Sequence, residues 1–409
     1  MTNRYGSLPI DAGQAEKKRV WNISSVLMGL YILLNYICQE TLLAPKYHSY
    51  VMYLFVAWTV FSIFRRGRFL LTNFTIWQVA MLILSLVSIL WAETAVMGAL
   101  YNMLVGMVLS VCFIFAIDSV ERLEKTLLIF VISADALGVL MILTGQMTAD
   151  NGRLGQELTG NANAFASMIM ISAIISGWFF VYKTRVSKYF NLASMLFCSY
   201  MLALSGGRKY LLVSVLCLGL FLVFKDTSKA VRILGSLIKA GIIVGLMYMA
   251  VMNIPVLYNA IGYRLESLFS MVSGGESNIS SDALRQNLIR IGLEKWTESP
   301  LLGFGVDTFK YYNLRTTGHF YYAHNNYVEL LYDLGLVGFL AYYGFYLHIL
   351  NQLKKLSSVY KEYKILGISV ILGFMVWEIG AVSYYSVFIQ LILAVVYVML
   401  ILCKQDVET

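Results

Sequence analysis

Apolar stretches recur along this chain from about Val20 to Leu402, with only short polar breaks between them. A hydrocarbon layer about 30 Å thick is crossed by roughly 20 helical residues. Runs of that order fall near 20–38, 50–64, 70–91, 95–117, 127–144, 164–182, 190–205, 210–224, 233–252, 325–350, 365–380 and 383–402. The pattern predicts an all-α polytopic integral membrane protein with about twelve transmembrane helices. With 59% of the 409 residues hydrophobic and 13% charged, a soluble fold is excluded. The whole chain, 1–409, reads as one membrane domain.

Orientation follows from lysine and arginine, which are retained on the cytoplasmic side of the membrane. Every second connection is basic: Arg65/Arg66/Arg68, Arg122/Lys125, Lys183/Arg185/Lys188, Lys225/Lys229/Arg232 and Lys354/Lys355/Lys361/Lys364. Arg4, Lys17, Lys18, Arg19 and Lys404 join them, which predicts that both termini are cytoplasmic. The N-terminal run lacks a small-residue cleavage site and reads as an uncleaved first span. Cys38, Cys112, Cys198, Cys217 and Cys403 lie in or beside apolar runs without metal-type spacing, so they read as packing residues.

Two outward connections are long, 146–163 and 253–323, the second between the ninth and tenth spans. Within the second, SSDALRQNLIRIGLEKWTESP places Leu284, Leu288 and Ile291 at helical spacing, with Ser281/Asp282 as a cap and Pro300 as a stop. It is too polar to span, and the expectation is an amphipathic helix lying on the outer membrane face.

The outward side gathers Arg153, Arg208, Arg264, Arg285 and Arg290, and His324 opens the tenth span. Guanidinium groups bind phosphate oxygens in bidentate fashion, which suits a diphosphate at a membrane surface. A histidine at a helix start is disfavoured as imidazolium by the helix dipole, and the neutral ring can accept a hydroxyl proton. The bland reading of each arginine is a snorkelling anchor, and of His324 an interfacial histidine. His319 is a substitute for His324, while Asp135 and Glu378 are costly intramembrane carboxylates that could line a cavity. Glu329 and Asp333 are expected at the wet start of the tenth helix, with Asn325 and Asn326 as orienting groups and Gly335/Gly338 as close-packing positions below. No Asp-x-Asp, His-Glu-x-x-His or P-loop pattern is present, so neither a metal site nor another cofactor is expected; nor is nucleic acid.

Four segments carry a resemblance: AHNNYVELLYDLGLVGF (323–339), RIGLEKWTESPLLGFGVDTF (290–309), LSGGRKYLL (204–212) and GNANAFASM (160–168). In order and spacing, over 153–350, they resemble the O-antigen polymerase and O-antigen ligase superfamily, polytopic bacterial glycosyltransferases. Two departures are Gly-Gly before Arg208, where a serine is common, and Ala162 in a position often held by proline. The resemblance implies metal-independent, inverting transfer of a polyprenyl-diphosphate-linked oligosaccharide on the outer face of the cytoplasmic membrane. It implies His324 as general base and Arg208 with Arg285 as leaving-group stabilisers. Arg153, Arg264, Arg290, Asn325 and Asn163 would contact diphosphate or glycan. A polymerase of O-antigen, capsule or exopolysaccharide is the favoured expectation, and a ligase acting on lipid A core the alternative. The bilayer, a flippase and a chain-length regulator of the same pathway are the further expected partners. A flippase is the competing class; it should show discontinuous helices and mid-membrane polar residues, often with internal symmetry.

Overall fold

The computed structural model describes residues 22–38, 42–66, 71–94, 96–146, 153–159, 162–183, 188–225, 235, 241–242, 245–246, 248–263, 265–266 and 280–408. The main helices are α1 (Ile23–Ile37), α2 (Lys46–Arg66), α3 (Asn73–Ser88), α4 (Met97–Ala116), α5 (Val120–Leu143), α6 (Ala162–Tyr182), α7 (Lys188–Leu204) and α8 (Arg208–Lys225). They continue as α9 (Ser280–Trp296), α10 (Phe309–Thr317), α11 (Asn326–Lys354), α12 (Lys361–Trp377) and α13 (Val387–Glu408). Of the apolar runs, 233–252 lies largely outside the described residues; the others each fall on a helix. Among the described residues, seven helical stretches are long and apolar enough to cross a membrane, and α1 and α3 are shorter apolar helices.

Burial separates the core helices from the periphery. α6 is apolar on every side and 78% of its membrane-length window is buried, against 17% for α2. A helix hydrophobic all round belongs at the centre of a bundle, and α6 packs against α5, α7 and α8. α13 packs on α4 at a close approach where a Cβ on Gly106 would come within 2.5 Å of the Gln390 side chain. Gln78 Nε2 donates to Gln390 Oε1 (3.0 Å) and to Ser110 Oγ (3.2 Å), joining α3, α4 and α13 through buried amides.

α11 carries a feature that the apolar pattern does not show. Its helical path breaks at Gly335 (φ 63°, ψ −165°). The loop after Pro300 enters the break. Phe304 N donates to Tyr332 O (2.9 Å) and Gly305 N to Asp333 O (2.8 Å), while Leu336 N and Val337 N donate to Pro300 O (2.9 Å) and Leu301 O (3.2 Å). The backbone groups freed by the break are thus satisfied by one inserted loop, as low-dielectric surroundings require. A Cβ on Gly335 would lie 2.3 Å from the Leu301 carbonyl, so the approach is limited to glycine. The expected close packing at Gly335 is therefore a loop-into-helix joint.

The amphipathic helix forms as α9, but its apolar side is used differently from the expectation of lying on the membrane. Leu288 is buried in a small cluster with Phe309, Ala323, Val328 and Tyr332, and Leu284 and Ile289 pack against it. A Cβ on Gly292 would sit 2.6 Å from Val328, which brings α9 directly against α11. That contact carries Arg285 towards the mouth of α11.

Candidate active site

The Ser205–Gly207 turn joins α7 to α8 and presents Arg208 and Lys209. Gly206 takes φ 65°, and a Cβ on Gly207 would meet the Tyr210 ring at 2.5 Å. Arg153 Nε donates to Ser205 O (2.7 Å) and Arg153 Nη2 to Asn163 Oδ1 (3.1 Å), while Leu154 N donates to Leu204 O (3.2 Å). The segments containing Arg153, Asn163 and Arg208 are thereby fixed to one another. Lys209 Nζ donates to Gly380 O and lies over the Tyr210 ring (5.0 Å) and the Trp377 ring (5.7 Å). Its position beside Arg208 was visible in the sequence, but its part in the site was missed.

His324 occupies the left-handed region (φ 55°), uncommon for a residue with a Cβ. Such a conformation persists where the neighbours over-determine it. Here Ala323 N donates to Glu329 Oε2 (2.6 Å), and Asn325 Oδ1 caps α11 by accepting from Tyr327 N (3.0 Å) and Val328 N (3.1 Å). The ring is half-buried against Tyr322, with centroids 4.1 Å apart. Burial, then Arg285, then Lys209 push its pKa down to about 4, so the imidazole is neutral near pH 7. The neutral ring expected from the helix dipole is obtained here first by burial and then by nearby cations.

The charges acting on Lys209 are Arg285 and Arg153. Those acting on His324 are Arg285 and Lys209. Residues from four separate segments, Arg153, Lys209, Arg285 and His324, therefore share one positive neighbourhood. Beside the turn, α6, α7 and α8 enclose an apolar crevice of about 330 Å³ whose lining includes Ala203, Leu211, Leu218 and Phe221.

Other candidates have different surroundings. Arg290 is exposed and paired with Glu294 (3.0 Å) and Asn287 (2.9 Å), and His319 is exposed beside Tyr321. Arg264 lies outside the described residues. Asp135 accepts from Ser194 Oγ. Glu378 accepts from Tyr342 (3.1 Å), Tyr343 (3.0 Å), Tyr346 (2.9 Å) and Ser383 (2.5 Å), a fully buried knot between α11 and the turn after α12.

Glu329 and Asp333 are buried, contrary to the expected wet helix start. Asp333 accepts from the backbone N–H of Asp307 (3.0 Å), Thr308 (3.1 Å) and Phe309 (3.3 Å) at the start of α10, and from Tyr384 Oη (2.6 Å). Asn326 is also buried; its Oδ1 accepts from Ser383 N (2.9 Å) and Tyr384 N (3.1 Å). The carboxylates thus brace the mouth of α11 from within. Helical periodicity cannot show this, because the partners of Asp333 and Asn326 lie in other segments.

Residues 193–343 match the O-antigen ligase family model. The match supports placement in the O-antigen ligase and polymerase superfamily, a glycosyltransferase-like membrane family. The matched segment contains Arg208, Arg285, His324 and the loop-into-helix joint at Gly335. No curated protein matched the chain.

Proposed function

We propose that the protein is a polysaccharide polymerase that joins polyprenyl-diphosphate-linked repeat units on the outer face of the cytoplasmic membrane. The supporting observation is a neutral imidazole held beside mutually repelling cations: His324 with Arg285 and Lys209, and Arg153 behind them. In this reading His324 takes the proton of the acceptor hydroxyl as its oxygen attacks the anomeric carbon. The bond from that carbon to the diphosphate oxygen breaks on the opposite face, and configuration inverts. Arg208 and Arg285, with Arg153, receive the negative charge on the departing polyprenyl diphosphate, in place of a divalent ion. The apolar crevice beside the turn suits the prenyl tail. General-base action is worth roughly 10²–10⁴-fold, and preorganised charge stabilisation is commonly the larger part.

The description of the matched family favours a second reading, transfer of finished polymer to lipid A core. The discontinuity of α11, a feature of transporters, is filled here by the 300–305 loop.

Purified protein in nanodiscs, given a polyprenyl-diphosphate-linked repeat and EDTA, tests these alternatives. A product ladder supports the polymerase, and one transfer to added lipid A core the ligase. Normal output from a well-folded His324→Ala protein removes the proposed base, and vectorial movement without covalent change removes the enzyme.

A further inference from the structure

A second cavity, of about 170 Å³, lies at the other end of α9 from Arg285. Lys295 on its wall follows Arg285 by ten positions, which at 1.5 Å per residue is about 15 Å along the helix. Phe304 and Tyr332 form a tilted ring pair (centroids 5.0 Å, 32°), and Tyr312 adds a third face 5.7 Å from Tyr332. Lys295 Nζ lies over Phe304 (5.1 Å) and Tyr312 (5.5 Å). Tyr332 is 2% exposed, and among the described residues its hydroxyl makes no hydrogen bond; it lies within electrostatic reach of Tyr312, Glu93 and Arg315.

The charges at this cavity come in pairs. Arg315 bridges to Glu93, and Lys295 to Glu298 at 2.5 Å. The cavity therefore offers no net positive field for a phosphate. It offers aromatic faces, a buried phenol and alternating donors and acceptors at the rim, which match the apolar ring face and equatorial hydroxyls of a sugar. Its volume is below the roughly 300–1,000 Å³ of sites for drug-sized ligands, and is on the scale of one ring.

We propose that the cavity bounded by Phe304, Tyr312, Tyr332, Lys295, Arg315 and Glu93 is a saccharide subsite, holding one neutral sugar ring of a glycan about 15 Å along α9 from Arg285. It rests on the glycosyl-transfer reading for its biological ligand, but its occupancy is measurable without turnover. A ring held there anchors the chain several sugars away from the reacting end, and restricts how the acceptor enters.

The test is saturation-transfer NMR on the full-length protein in nanodiscs, with neutral oligosaccharides of glucose, galactose and N-acetylglucosamine as probes. Saturation concentrated on one ring is expected for at least one probe. Tyr312→Ala should weaken it about tenfold or more, as loss of one packed aromatic face does. Thr316→Trp, which fills the cavity without removing a packed ring, should abolish it, and His324→Ala should leave it unchanged. The proposal falls if no probe binds, if binding survives Thr316→Trp, or if a phosphocholine headgroup binds there in preference to every saccharide. Saccharide binding without any glycosyl transfer would sink the enzyme reading and leave the subsite standing; transfer without saccharide binding would do the reverse.

Discussion

Two polar clusters of this bundle contain cations in opposite circumstances. Where α5, α6 and α12 meet, Lys183 lies 2.8 Å from Glu124 and also pairs with Glu362, while Tyr363 Oη donates to Glu124 at 2.5 Å. At the mouth of α11, the charges acting on His324 and Lys209 are other cations. The first cluster balances itself and fastens helices together. In the second, Arg285 acts on both His324 and Lys209, an arrangement suited to an anion that lies between them.

The largest contrast is expected in turnover. Arg285→Ala and Arg208→Ala should each lower the rate of product formation by about 10²–10³-fold with little loss of thermal stability. They should be at least as damaging as His324→Ala. Lys183→Met should leave turnover within about threefold while weakening the fold. A reversal, with Lys183→Met inactive and Arg285→Ala active, would break the distinction between the clusters.

The pH profile gives the next effect. With the His324 pKa held at about 4, the acid limb of the rate should lie near pH 4, because the base is lost only on protonation. Removing a neighbouring cation by Lys209→Met should move that limb towards the ordinary value of 6.5. Linkage gives the accompanying sign: the unfolded chain takes up the proton first, so this histidine costs stability as pH falls from 6.5 towards 4. A limb unmoved by the substitution would show that another group is the base.

Smaller still is the stability cost at Lys183. Its side chain is 17% exposed and Glu124 29%. Removing the cation should cost about 2 kcal/mol, read by thermal denaturation in detergent. The smallest effect belongs to Arg290→Ala. With Arg290 64% and Glu294 62% exposed, stability should change by less than about 0.5 kcal/mol and turnover by less than about twofold. A large kinetic loss would return Arg290 to the phosphate-binding set.

The apolar runs located the helices because burial of backbone in lipid forces local hydrogen bonding, which depends on nearby residues alone. The start of the run at 325 was legible for the same reason, whereas Asn325, read as an orienting group, caps α11 by accepting from the N–H groups of Tyr327 and Val328. Glu329, Asp333 and Asn326 were misread, since their spacing resembles a polar helix end. What buries them is the backbone of Ala323, of 307–309 and of 383–384. Lys209 was overlooked because nothing local separates it from an anchoring lysine. Its neighbours Arg285, Arg153 and the Gly380 carbonyl come from other segments.

By itself, then, the sequence determined an all-helical membrane chain, the order of its helices, and the segments that hold its arginines and His324. It also carried the resemblance over 153–350, of which residues 193–343 match the O-antigen ligase family model. Only the tertiary structure decided that Gly335 breaks α11 to receive the 300–305 loop, that α9 turns its apolar side to protein, and that His324 shares its field with Arg285 and Lys209. Helix formation is settled within a few turns of chain, whereas a charge's neighbours are settled by packing between segments tens to more than a hundred residues apart.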